Sequence, residues 1–229
     1  MKILLCADAH GEIPIVGNNK KIDLILVAGD FAKGDALRKM IFEGGSREQA
    51  KKEIIDSSEF FLKKLKQFHC PVVVSLGNAE EFCKKEIVEL IKKNKIFYTE
   101  NGIVEINNLK ILCVDFFLEE WWVEKYQSAR LDRFERARKD EKNLKQALSK
   151  VEYADVILTH LPPYEMLDLS ERNDYIKMPG GKIGSKILRE FIDKTKPKLV
   201  VCGHLHNPGQ KQFGKTLAVN PGKEKIIEL

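Results

Sequence analysis

The chain is short of the residues that most often carry chemistry or break structure. It has five histidines, five cysteines, two tryptophans and eight prolines in 229 positions. So little proline, with only 15 glycines, excludes a collagen-like or low-complexity chain. The cysteines (Cys6, Cys70, Cys83, Cys113 and Cys202) are odd in number and never stand at C-x-x-C spacing. That argues against a disulfide framework and for free thiols in a reducing compartment. No apolar run approaches the 18 residues or so of a membrane-spanning helix. Asp8 interrupts the first apolar run before a signal-peptide core can form. Together these absences predict a cytoplasmic protein with no membrane contact. An excess of one charge is missing too, since 39 basic against 34 acidic side chains leave a net charge of +5. Such a balance describes a solvated surface, whereas a nucleic-acid footprint needs basic residues gathered on one face.

What is present is an ordinary core. The chain is 43% apolar with 12 phenylalanines, which excludes disorder. Its length suits one well-cored domain spanning residues 1–229, and no internal repeat or long linker divides it. Five short apolar runs (Ile3–Ala7, Leu24–Ala28, Val72–Leu76, Val156–Leu158 and Leu199–Cys202) read as buried strands of an α/β sheet. Helical spacing covers Arg47–Phe68, Glu81–Lys93, a charged stretch from about Glu119 to Lys150, and Ile183–Lys194, with Ser46 as an N-cap for the first. Hairpins are expected around Asn107-Asn108 and Gly214-Lys215, and an edge strand at Lys225–Leu229.

The residues that follow the buried strands are the informative ones. The five runs lead in turn to Asp8-Ala9-His10, Gly29-Asp30, Gly77-Asn78, Thr159-His160 and Gly203-His204-Leu205-His206. Four of the five histidines therefore fall at strand ends. In α/β sheets the carboxyl edge is where loops converge on ligands. Imidazole nitrogens mixed with carboxylate and amide oxygens suit divalent Mn, Fe or Zn better than a thiolate or all-oxygen site does. Seven such groups exceed one tetrahedral ion and suit two, an arrangement that recurs in phosphate ester hydrolysis.

These motifs, with Ala79-Glu80 completing the third, resemble the five motifs of the calcineurin-like metallophosphoesterase superfamily in their order. Pro162-Pro163, Gly184-Ser185 and Asn220-Pro221-Gly222 are similar to features of its small, lidless prokaryotic branch. The resemblance implies a four-layer α/β/β/α sandwich of two mixed sheets with outer helices. It implies that Asp8, His10 and His206 hold a first metal ion, that Asp30 bridges, and that Asn78, His160 and His204 hold a second. Asp30, Asn78 and His160 would carry catalysis, by attack of a metal-bridging hydroxide on phosphorus. The implied cofactors are two divalent ions, Mn first and Fe, Ni or Zn as alternatives. The implied function is a hydrolase of small phosphoesters, a phosphodiesterase before a monoesterase. The alternative is the same fold used as a protein-interaction scaffold with little or no catalysis. Repair nucleases of the superfamily add a capping domain, for which 229 residues leave little room, so nucleic acid is not the expected partner. Physiological substrate, metal identity and oligomeric state, a homodimer among the options, stay open.

Two departures matter. Many members of the superfamily carry His directly after the motif Asn, where it contacts phosphate and protonates the leaving oxygen; here the position is Ala79. An acidic residue is often found three positions after Gly-Asp, where this chain has Lys33, with Asp35 two later. The Glu119–Lys150 stretch admits two readings. Arg130, Arg133 and Trp121 form a substrate clamp, or its alternating charges make a solvated helix laced with ion pairs, which the sign pattern favours. The segment Lys177–Lys182 reads as a flexible loop. His69 reads as a residue at a helix C-terminus, outside the site.

Overall fold

The computed structural model describes residues 1–14, 21–126, 131–171 and 180–229. The chain runs through β1 (Lys2–Cys6), β2 (Leu24–Ala28), α1 (Asp35–Glu43), α2 (Arg47–Leu65), β3 (Val72–Ser75), α3 (Asn78–Glu81) and α4 (Lys84–Lys93). The hairpin β4 (Gly102–Ile106) and β5 (Leu109–Val114) leads to α5 (Glu120–Tyr126), α6 (Leu131–Leu148) and β6 (Val156–Thr159). A short pair, β7 (Leu169–Ser170) and β8 (Gly181–Lys182), precedes α7 (Lys186–Thr195). The chain then forms β9 (Leu199–Val201), β10 (Gly209–Phe213), β11 (Thr216–Asn220) and β12 (Lys225–Glu228).

Strand periodicity sorts the side chains into layers. Ile3, Leu5 and Ala7 join Leu24, Leu26, Cys113, Leu158 and Val201 in a core between two sheets. The alternate residues Leu4 and Cys6 face outward onto Ile54, Phe61 and Ile87 of the helices on that side. On the far side Leu112, Ile157 and Val200 meet Leu144, Leu188 and Phe191. Because both faces of each central strand are buried, those strands read as unbroken apolar runs. Each fully buried Leu or Ile contributes about 1.5–3 kcal/mol by removal from water. The first sheet has the order β12-β1-β2-β3 and the second β10-β11-β9-β6-β5-β4. Both are mixed: β12 is antiparallel to β1 at one edge, and antiparallel hairpins flank the parallel β11-β9-β6-β5. The result is the expected helix–sheet–sheet–helix sandwich of two mixed sheets.

The differences from the sequence reading have local causes. Helix α1 was not anticipated; only Leu37 of it is buried, and its N-cap Gly34 supplies no capping side chain. Of the segment read as one helix over Glu81–Lys93, Glu81 closes the preceding α3 and the helix proper, α4, begins only at Lys84, after Phe82-Cys83. The Glu119–Lys150 stretch likewise holds two helices, α5 and α6. Within Lys177–Lys182, Gly181–Lys182 is not loop but a strand paired with Leu169–Ser170, while 177–179 fall outside the described residues. Ser46 caps α2 as expected, its Oγ accepting from the Gln49 amide at 3.3 Å. No described helix is long and apolar enough to cross a membrane.

Candidate metal centre

Parallel pairing continues past the strand ends and brings the five motif loops together. The amides of Asp8 and His10 donate to the carbonyls of Gly29 and Asp30, at 3.2 and 3.0 Å. The Gly203 amide donates to the His160 carbonyl at 3.0 Å, and Phe116 N–H to the Leu76 carbonyl at 2.8 Å, tying the second sheet to the first. Within this frame Asp8, His10, Asp30, His204 and His206 all have positive φ, between 46° and 73°. Left-handed backbone at a non-glycine residue costs on the order of 1–2 kcal/mol. Five such residues at one end of the sandwich, from both sheets, mark a place where side-chain direction outweighs backbone comfort. Gly29, at φ +75°, lies where a Cβ would fall 2.7 Å from His160 Nδ1 and 2.6 Å from the Gly77 nitrogen, so the close approach of the two turns requires glycine there.

All seven predicted side chains converge. Asp8, His10 and His206 have donor atoms within 4.8 Å of one another, and so do Asp8, Asp30 and His160. His160 is fully buried and its Nδ1 donates to the Ala28 carbonyl at 2.8 Å, which points Nε2 into the cluster. That Nε2 lies 3.1 Å from Asn78 Oδ1 and 3.3 Å from His204 Nδ1, while His204 Nδ1 is 3.0 Å from Asn78 Oδ1. His10 Nε2 and His206 Nε2 approach to 3.1 Å. Asp30 Oδ2 is 3.6 Å from His160 Nε2, and Asp8 Oδ1 is 3.8 Å from His206 Nε2.

The electrostatics of this cluster fit a cation. Burial, with His160 beside it, holds His204 down to about 3, so its imidazole is neutral with a lone pair to give. Burial also pushes the Asp8 carboxyl up. For Asp30 burial is the largest influence, but His160, the Ala79 amide, His10 and His204 together outweigh it and hold the carboxyl low. Asp8 Oδ1 accepts from the His204 amide at 2.9 Å, whereas Oδ2 is buried without a hydrogen-bond partner. A buried carboxylate oxygen without a partner, beside a second carboxylate and inward-facing imidazole nitrogens, is the donor set a divalent ion satisfies.

Glu80 supports the site from beneath. Its carboxylate accepts from the amides of Asp30 (2.9 Å), Ala32 (2.8 Å) and Gly77 (2.8 Å), locking two motif turns together. Burial and the neighbouring Asp30 push it up to about 7. Glutamine at this position has one acceptor oxygen where three amides need one, and leaves at least one N–H unpaired. Glu80→Gln is expected to cost about 1–3 kcal/mol, a fall of about 2–10 °C in melting temperature, read from a thermal melt.

Asp115 was missed in the sequence. It follows β5 directly and is buried; its carboxylate accepts from the Leu76 amide at 2.9 Å and the Tyr98 hydroxyl at 2.6 Å, with Lys84 Nζ 3.1 Å away. It anchors the turn that carries Asn78. The signal was an acid closing a buried strand, obscured because Ile111–Val114 read as one arm of a hairpin. Of the clamp candidates, Trp121 lies beside the cluster in a cleft that includes His204. Arg133 stands on the first turn of α6 and does not line that cleft, and Arg130 lies outside the described residues. The arginines that follow on α6 are ion-paired: Arg136 with Asp140 (3.3 Å) and Glu81 (3.5 Å), Arg138 with Glu120 (2.9 Å). His69 ends a helical turn at φ 54°, and the five cysteines are free.

Comparison with known proteins agrees with this geometry. No curated protein matches the chain in sequence. Among solved structures the chain is similar to phosphopantetheinyl hydrolase from Mycobacterium tuberculosis, with TM-score 0.63 and 12% identity over 95% of this chain and 87% of that one. It is also similar to TT1561 of Thermus thermophilus, with TM-score 0.60 and 15% identity over 97% and 89%. At such identities the likeness is one of fold. The family model of the calcineurin-like phosphoesterases matches residues 1–208. A match over that span, with the strand-end residues of both sheets gathered at one end of the sandwich, places the chain in the calcineurin-like phosphoesterase family.

Proposed function

We propose that the protein is a two-metal phosphodiesterase acting on small phosphoesters, with Asp8, His10 and His206 holding one ion, Asn78, His160 and His204 the other, and Asp30 between them. The observation that carries this reading is the convergence of Asp8, His10, Asp30, His160 and His206, with Asn78 and His204 against His160, in a cluster that also holds an unpartnered Asp8 oxygen. Bound divalent ions would supply an activated water and neutralise charge on the phosphoryl oxygens. The chain's own part is preorganisation. Glu80 and Asp115 fix the turns bearing Asp30 and Asn78, so the donors need no rearrangement when the ligand arrives. Ala28 fixes the His160 ring so that Nε2 faces the site. Manganese is the first candidate, because a set mixing imidazole with carboxylate and amide oxygen accepts it without thiolate.

Chelator-treated protein is expected to hydrolyse bis(4-nitrophenyl) phosphate at background rate. Titration with Mn²⁺ should restore turnover, with two ions per chain by elemental analysis. One ion per chain at full activity overturns the two-metal reading. Two ions per chain with no phosphoester turned over supports the scaffold in place of the enzyme.

A further inference from the structure

His160 is fully buried, whereas His10 is half-buried and the His206 side chain is 52% exposed, so the cluster meets solvent on the side of these two. Lys33 stands on that side. It follows Asp30 by three positions, and its aliphatic stem lies across Gly11, the residue after His10. A Cβ built on Gly11 would fall 2.6 Å from Lys33 Cγ, 3.3 Å from Cδ and 3.1 Å from Cε. Three successive stem carbons therefore run over this glycine and leave the ammonium, one bond further, beside the His10 turn. The backbone carrying the side chain is fixed as well. The Lys33 amide donates to Ser57 Oγ at 2.9 Å, and that hydroxyl donates to the Glu53 carbonyl at 2.6 Å. Gly11 N–H donates to the Phe31 carbonyl at 2.8 Å, tying the glycine to the turn before Lys33. A lysine whose stem is already packed loses less rotamer freedom when its head group binds.

The charges around this ammonium leave it uncommitted. Glu12, which follows Gly11, is paired with Lys223 at 2.5 Å. Glu53 accepts from the Ala36 amide at 2.8 Å. Asp35 stands in the first turn of α1, where the helix N-terminus favours a negative charge. Among the described residues Lys33 has no carboxylate within ion-pair distance, although its side chain is exposed. Asp8 and Asp30 are donors to metal in the reading above, so an anion that docks on the cluster finds a positive side chain only outside the donor set. A cation at the open side both attracts such an anion and pairs with it on arrival.

We infer that Lys33 is a substrate-binding residue: its ammonium takes a charged oxygen of the phosphoryl group as that group docks from the His10–His206 side. This contact presupposes the phosphoesterase reading above and adds to it a group outside the metal ligands. Inorganic phosphate is the probe, titrated by calorimetry into Mn²⁺-loaded protein. Affinity is expected to follow the charge at position 33. Lys33→Arg should bind as the parent does, Lys33→Met about three- to tenfold more weakly, and Lys33→Glu more weakly again, the scale of one partly exposed charge-assisted bond. Raising the salt concentration should narrow the gap between the parent and Lys33→Met. With bis(4-nitrophenyl) phosphate, Lys33→Met should raise KM by a similar factor and leave kcat within about twofold, the signature of binding shared by ground state and transition state. Bound metal and melting temperature should match the parent, since the side chain is exposed and is not a ligand. Equal phosphate affinity in the parent, Lys33→Met and Lys33→Glu overturns the inference, and so does a loss of bound metal that accounts for the lost phosphate. Phosphate binding that follows the charge at position 33, in a protein that turns over no phosphoester, keeps the Lys33 contact and overturns the phosphodiesterase reading.

Discussion

Asp30→Asn is expected to lower phosphoesterase activity by on the order of 10³-fold and to reduce bound metal below two ions per chain. The substitution is chosen because it is nearly silent for packing. Asp30 is 4% exposed, and its Oδ1 accepts from the Ala79 amide at 2.9 Å, a bond an asparagine oxygen can keep. What disappears is the negative charge on the atom facing His160. Removing this charge relieves repulsion with Asp8 but forfeits its attraction to His160, so the metal-free variant should melt a few degrees below the parent while staying folded. Elemental analysis and a thermal melt, run beside the assay, separate the causes. Lost activity with two ions still bound would mean that Asp30 acts on substrate and is not a ligand. Full activity would remove Asp30 from the site altogether.

The site was legible in the sequence because its residues follow strands that are buried on both faces. Leu24–Ala28 has no polar member, so the point where polarity resumes, at Asp30, stands out without any structure. The edge strand Lys225–Glu228 was legible for the converse reason, a short apolar patch flanked by charge. Supporting residues were not. Glu119 gains its meaning only when α7 is docked, since three of its four partners lie 66–68 positions away in sequence. Glu80 was visible as part of a motif, yet a sequence cannot say that its carboxylate turns under the site to collect three amides. Helix α1 escaped for lack of contrast: Ile41 and Phe42 are exposed, so its apolar residues do not mark its buried face. The left-handed backbone at five site residues is equally silent, because Asp and His carry no mark of φ. Strand ends are written in local polarity, whereas support for a site is written in long-range contacts.

The absence of a proton donor at position 79 predicts a steep dependence on the leaving group. Ala79 is 2% exposed and offers the cluster only its amide, which Asp30 accepts. Glu80, the nearest acid in sequence, is held by three backbone amides, and turning it outward would leave all three unpaired. Tyr98 is also committed, its hydroxyl donating to Asp115. The four imidazoles of the cluster pair with one another, His10 with His206 and His160 with His204. General acid help is typically worth about 10²–10⁴-fold, and the whole of it is felt where an alkoxide must depart unassisted. A 4-nitrophenolate leaves readily as an anion and forfeits little. Diesters that share one ester group and differ in the departing alcohol should therefore spread widely. With Mn²⁺ present, the 4-nitrophenyl ester is expected to turn over at least 10²-fold faster than its alkyl counterpart, with log kcat falling steadily as the leaving alcohol becomes less acidic. Equal rates across the series would show that a donor reaches the leaving oxygen from elsewhere in the chain. A faster alkyl monoester than aryl diester would overturn the preference itself.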